Sequence, residues 1–373
     1  MDFALSEEQE ELQGLARQIL EGELGHNRLK EVEAGEENFD RELWAKLADA
    51  GLLGLAVPEE HGGAGLGFLE VALVLEQIGR TVAPVPYLAG VVLGALPVAR
   101  FGPPAQQTAL LPKAASGDLI LSAALVEPGG DPLEPTTKAA RDGDGWRLDG
   151  QKSCIPAGMV ADRILVPADA GGEILVAIVD PQADGVTRAR QDTTSHHPEA
   201  MLELAGARVS DADVVVGPGR EGRDALTWMV EHATAAVCAV VVGVCEEALR
   251  MTAEYTKTRE QFDRPIATFQ AVGQRAADAY IDTEAIRLTA WQAVWRLSEG
   301  LPASAEVAVA KFWAADGGQR VVHAAQHLHG GMGVDRDYPL HRYFLWAKQL
   351  ELTLGGATRQ LLDLGAILAE EPV

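Results

Sequence analysis

From about residue 224 onward the chain carries four long stretches of helical periodicity, at about 224–257, 267–299, 303–328 and 340–369, separated by connections of a few residues. Apolar residues recurring every three to four positions give each stretch one face that must be buried. Connections this short place consecutive helices side by side in opposite directions, so 221–373 is predicted to be an antiparallel four-helix bundle.

The rest of the chain follows other periods. Residues 1–118 read as a helical domain: Ser6 and Gln9 form a capping-box pattern, followed at helical spacing by Leu12, Leu15, Ala16, Ile19 and Leu20. A second helix starts near Asp40 with Leu43, Trp44 and Leu47 on one face, and the Val57–Gly63 turn separates it from another helix at about Leu69–Ile78. Between 119 and 220 the pattern changes to short apolar runs, Ile120–Leu125, Trp146–Leu148, Ile164–Val166, Ile174–Val179, Met201–Leu204 and Val214–Val216, divided by Gly, Asp-Gly and Pro turns. Strands so closely spaced leave no room for crossover helices, which predicts a middle β-barrel or sandwich. A Gly-rich linker, Val216–Gly222, leads into the bundle. The fold class expected is α+β and multidomain.

Charge narrows the partners. The 31 Lys and Arg stand against 55 Asp and Glu, a net charge of -24, which disfavours nucleic acid and anionic membrane. An anionic ligand must then be met by locally placed Arg, backbone N–H groups or helix N-termini. Cys154, Cys238 and Cys245 show no paired spacing, and the last two fall in one apolar helical run as small core residues. The Met-Asp-Phe start lacks a basic, apolar leader and no uninterrupted apolar run reaches membrane-spanning length, so a cytoplasmic protein is expected.

One corner carries chemistry. Tyr255–Gln270 combines a helix, Arg259 at its end, a break at Pro265 and a second helix opening with Phe269 and Gln270. A guanidinium fork fixed at such a corner suits a diphosphate, although alone Arg259 could equally complement the helix dipole. Further on stands His329-Gly330-Gly331-Met332-Gly333, whose adjacent glycines suit a tight turn or close backbone approach to a ligand.

Together with Val57–Gly63, Leu125–Gly129 and Asp337-Tyr338-Pro339, these segments resemble the acyl-CoA dehydrogenase family, in the family's order and over nearly the whole chain. The resemblance implies FAD, an acyl-CoA thioester substrate and an electron-transfer flavoprotein as acceptor. In that reaction a carboxylate takes the α-proton while the β-hydrogen leaves as hydride to the flavin. It also implies that Arg259, Phe262, Gln270, Gly330 and Gly331 hold the adenosine half of FAD, with His327 where Gln is usual and Asp263 where Gly is usual.

On the flavin-ring side the pattern departs from the family. Thr-Glu-Pro-Gly becomes Val126-Glu127-Pro128-Gly129, Gly130-Asp131-Pro132 is a residue short and lacks Ser, and aromatic-Ile-Thr-Asn becomes Cys154-Ile155-Pro156-Ala157. Pro156 also removes a backbone donor. Of the family's two positions for the base, one falls on Leu354 and the other on Ala233. Glu231 is a weak candidate, turned about 200° around its helix from Ala233. Glu351 reads as a polar position on the last helix. His196 and His197 read as a solvated loop without metal-ligand spacing, and no metal is expected.

This division suggests a companion subunit of an α2β2 acyl-CoA dehydrogenase, similar to actinobacterial enzymes of steroid side-chain degradation and so of lipid metabolism. Such a chain would lend adenosine-side contacts to FAD held mainly by a homologous catalytic partner. The alternatives are a self-sufficient homotetramer using Glu231 and a non-enzymatic acyl-CoA-binding or scaffold protein. A DNA-associated relative of the same fold is disfavoured by the acidic balance.

Overall fold

The computed structural model describes residues 4–370. Met1–Phe3, read above for the absence of a leader, and residues 371–373 of the proposed third domain lie outside the described residues. Helices α1 (Glu7–Glu23), α2 (His26–Ala34), α3 (Arg41–Asp49), α4 (Phe68–Thr81), α5 (Leu96–Phe101) and α6 (Pro104–Ala115) come first, a π-helical turn at Leu88–Ala95 leading into α5. Strands follow as β1 (Leu121–Ala123), β2 (Lys138–Asp142), β3 (Gly145–Ile155), β4 (Arg163–Asp169), β5 (Ile174–Val179), β6 (Val186–Gln191), β7 (Glu199–Ser210) and β8 (Val214–Val216). Then come α7 (Arg220–Thr258), β9 (Glu260–Gln261), β10 (Arg264–Pro265), α8 (Gln270–Ser298), α9 (Ser304–Phe312), α10 (Gly318–His329), α11 (Leu340–Leu352) and α12 (Ala357–Glu370).

Two compact units share this chain. The first comprises the residues up to 26, 72–83 and those from 234 on, and apart from the β9–β10 hairpin its regular elements are helices. Its first helix starts as expected: Ser6 Oγ accepts from the Gln9 amide at 3.2 Å, and the Gln9 side chain accepts from the Ser6 amide at 3.0 Å. Ala16 and Leu20 of the predicted face are buried, whereas Leu15 is exposed. Within this unit α4 and α7 cross backbone to backbone. A Cβ at Gly79 would lie 2.0 Å from the Val240 carbonyl and one at Gly243 would lie 1.9 Å from that of Glu76, so both crossing points require glycine.

The four helical stretches differ in detail from expectation. The first begins at Arg220, inside the supposed linker; the third is interrupted by a π-helical turn at Trp313–Gly317. The stretch 340–369 is not one helix but two. Leu354 (φ 57°) and Gly355 (φ 95°) are left-handed, a conformation that a right-handed helix cannot propagate. Fully buried Lys311 donates Nζ to the carbonyls of Leu350 at 3.0 Å and Glu351 at 2.9 Å, satisfying the end of α11. Among the described residues, α7 is long and apolar enough to cross a membrane, but 83% of its most apolar window is buried inside the protein, including Cys238 and Cys245. Its apolar length is core.

The second unit comprises 27–71 and 84–233. Asp40 caps α3 and receives Arg28 Nε at 2.8 Å and Nη2 at 2.7 Å, while Leu43, Trp44 and Leu47 are buried. Because α2 precedes it, the helix at Asp40 is the third rather than the second; α2 buries only Leu29, so it has no apolar face to read. The strands form one mixed sheet in the order β6-β7-β3-β2-β4-β5-β8, with β1 beside β4. Pairing is antiparallel except β1 with β4 and the short β2 contact with β4. The apolar runs Ile174–Val179 and Val214–Val216 coincide with β5 and β8, while β2 and β6, rich in Arg and polar side chains, were not anticipated.

Candidate cofactor site

Helix α7 ends at Thr258, before Pro265 can act on it. Arg259 donates its amide to the Tyr255 carbonyl at 2.8 Å and accepts from the Ile266 amide at 2.8 Å, closing the β9–β10 hairpin. Phe262 (φ 55°) and Asp263 (φ 60°) form the turn, both left-handed, the type I′ pattern that ordinarily favours Asn-Gly. Phe269 precedes α8 rather than opening it, and Gln270 is its first residue. The Arg264 guanidinium lies 4.1 Å over the Phe269 ring, which meets Phe262 edge-on at 6.1 Å. Phe262 itself is 86% exposed. Arg259 is exposed, and its guanidinium has no hydrogen bond or ion pair among the described residues.

The glycine turn sits beside this corner. Buried His329 stacks on Tyr255 with ring centroids 4.3 Å apart, its Nε2 is 3.1 Å from the Tyr338 hydroxyl, and its Nδ1 is 2.8 Å from the Ala325 carbonyl. Burial pushes its pKa down, which keeps the imidazole neutral. This stack ties the end of α7 to Gly330 and Gly331, with His327 exposed on the last turn of α10. Tyr255, His329 and Tyr338 were missed as the joining residues; an aromatic one helical turn before Arg259 and an imidazole beside Gly330 were the available signals.

These residues fit an anionic diphosphate. Gly330, at φ 60° and ψ -136°, holds a conformation essentially reserved for glycine. Gly331 has no such constraint, and a Cβ there would meet nothing within 4 Å. Nothing inside the chain requires glycine at 331, so the open space and the unpaired guanidinium suit a ligand from outside.

The residues equated with the flavin-ring side are engaged within their own unit. The Glu127 carboxylate accepts from Lys152 Nζ at 2.7 Å, from the Thr136 amide at 2.6 Å, from the Thr137 amide at 3.0 Å and from both threonine hydroxyls. Burial alone would raise this carboxyl, but the Lys152 ammonium and the threonine donors hold it below the usual carboxylate range. The Ser153 amide donates to the Val126 carbonyl at 2.9 Å, and the Ser122 hydroxyl to the Pro156 carbonyl at 2.5 Å. Cys154 (φ 49°) and Ala157 (φ 54°) are left-handed, and the Cys154 amide donates to Gln191 Oε1 at 2.6 Å. With that donor occupied and none at Pro156, neither of these two positions offers a free amide to a ring.

Neither expected base position offers a proton acceptor. Ala233 is buried on α7, and Leu354 lies at the break between α11 and α12. Glu231 is half-buried on α7. Glu351 is paired with Lys348 at 2.6 Å. His196 is exposed with φ 59°, but His197 is half-buried with its Nε2 out of solvent, and burial drives its pKa down to about 4, so the pair is not uniformly solvated. Among the described residues no cluster of His, Cys, Asp or Glu is suited to a metal.

Comparison with known proteins matches two family models, that of the acyl-CoA dehydrogenase N-terminal domain to residues 6–118 and that of its C-terminal domain to residues 220–368. The chain is 47% identical to acyl-CoA dehydrogenase FadE27 of Mycobacterium tuberculosis, covering 100% of both chains. Among solved structures it resembles a chain of the ChsE4-ChsE5 complex from Mycobacterium tuberculosis, with a TM-score of 0.95, 47% identity and 100% of both chains covered. It also resembles a chain from a variant of the Tcur3481-Tcur3483 steroid ACAD, with a TM-score of 0.92, 45% identity and 98% of both chains covered.

Proposed function

The chain belongs to the acyl-CoA dehydrogenase family, and from that premise we propose that it is the companion subunit of an α2β2 enzyme, completing a cofactor site whose ring side and base belong to a homologous partner. Members of this family are FAD-dependent oxidoreductases; FAD, when bound, accepts the hydride that no side chain can take. This chain's contribution is the rest: Arg259 supplies charge to the diphosphate, Gly330 and Gly331 let backbone approach it, and Phe262, Gln270 and His327 flank it. The observation carrying this reading is the contrast between an open adenosine-side corner and a ring-side segment already bonded to its own unit. Two similar structures are described as paired assemblies, one of them a steroid ACAD, which supports a heteromeric partner and a steroid side-chain thioester as substrate. Electron-transfer flavoprotein is the proposed acceptor. Three unbridged cysteines support a cytoplasmic setting.

Purified alone, the chain is expected to be flavin-poor and inactive; co-expressed with its partner it is expected to yield about one FAD per heterodimer and restored activity. Flavin absorbance and turnover against an acyl-CoA thioester check this, and full FAD occupancy with high activity in the isolated chain would sink it. Glu231→Gln addresses the homotetrameric rival. In the co-purified complex it should leave turnover within about twofold, because loss of a true general base costs on the order of a hundredfold or more. A loss of that size with FAD retained would make Glu231 the base.

A further inference from the structure

Cys154 lies where β3 loses its regular pairing with β7, at the register shift between Lys152 and Ile155. Its left-handed backbone turns the amide out of the ladder, and the amide donates to the side chain of Gln191, 37 residues away at the end of β6, at 2.6 Å. A left-handed non-glycine residue is strained and persists where its surroundings fix it. Here they do. Within the same turn Gly158 donates to the Ile155 carbonyl at 3.0 Å, Val160 and Ala161 both donate to Ala157 at 2.9 Å, and Met159 donates to Pro198 at 3.0 Å.

We propose that Gln191 is an internal cap: its side-chain carbonyl occupies the Cys154 amide and seals the ring-side segment against an isoalloxazine. The proposal rests on the assignment of this segment to the flavin-ring side, but goes beyond the loss of family contacts. Lost contacts make binding weak. An occupied donor makes it competitive, because a ring oxygen must displace the amide oxygen already there. Pro156 contributes no N–H, and the Cys154 amide two residues before it is already engaged by Gln191.

Riboflavin is the discriminating probe, since it carries the isoalloxazine without the diphosphate and adenosine that Arg259 would serve. Fluorescence quenching is measured on the full chain and on Pro156→Thr, Gln191→Ala and the double variant, with circular dichroism checking the fold. Pro156→Thr alone is expected to bind no better than the parent, and the double variant about tenfold more tightly than Pro156→Thr. In parallel, amide exchange at Cys154 is expected to quicken at least tenfold in Gln191→Ala while neighbouring β3 amides hold. Equal riboflavin affinity in Pro156→Thr and the double variant, including no binding by either, overturns the cap, as does unchanged exchange at Cys154. Tight riboflavin binding by the parent chain would instead overturn the companion-subunit reading.

Discussion

Arg259→Ala in the co-purified complex is expected to weaken FAD retention about a hundredfold, on the order of 3 kcal/mol, because it removes a charge-assisted contact to a diphosphate. The size follows from the free state of this side chain. Its guanidinium has no partner among the described residues, so the substitution breaks nothing within the chain and the loss should appear in cofactor affinity rather than folding. Arg259→Lys keeps the charge but loses the planar fork and should recover only part of the affinity. Arg264→Ala is the contrasting variant, since that guanidinium is already stacked on Phe269 within the same hairpin, and it should change retention by less than about 1 kcal/mol. Dilution of the complex with flavin release followed by fluorescence gives the ranking. If Arg259→Ala holds FAD as firmly as the parent, the adenosine-side assignment is wrong.

What the sequence made legible was what local pattern encodes. The cap at Ser6, the helix start near Asp40, the apolar face of α3 and the runs that became β5 and β8 depend on residues a few positions apart, and the structure carries each of them. Elements held by the hydrogen-bond ladder rather than by burial were illegible: β6, with the sequence Val-Thr-Arg-Ala-Arg-Gln, shows no fully buried residue yet pairs along its whole length with β7. The break between α11 and α12 falls at Leu354 and Gly355, and the side chain that satisfies the end of α11, Lys311, comes from α9 and has no local signal there. Among site residues, Arg259 and the glycines stood out by type. Joining them needed the His329 and Tyr255 rings face to face, which the helix packing brings about. The Gln191 contact has no local signal, since nothing in Val186–Gln191 indicates that its last side chain meets an amide in β3.

Glu127→Leu is expected to be the most destabilising single change considered, by about 3–5 kcal/mol, because it leaves the fully buried Lys152 ammonium without its counter-charge. It also strips acceptors from Thr136 and Thr137. Glu127→Leu combined with Lys152→Met should recover most of the loss, since a buried pair replaced on both sides by apolar groups is often neutral. Thermal unfolding, read as a drop of about 10 °C for the single variant and a much smaller one for the pair, checks this. The sign of the pH dependence follows from the carboxyl. Its folded pKa lies below the unfolded value of about 4.3, so its contribution is complete above that value and is lost as pH falls through the folded pKa. The parent should therefore lose this contribution on acidification, whereas the double variant lacks this component of acid sensitivity. An equally stable Glu127→Leu chain would show that Lys152 finds another partner or gives up its proton. The pair also bears on the division of labour. Glu127 follows Val126, whose carbonyl accepts from Ser153, the residue after Lys152, so one buried ion pair holds the 124–127 stretch against β3. Under the companion-subunit proposal, such a clamp would preserve the shape of this segment even where no isoalloxazine binds it.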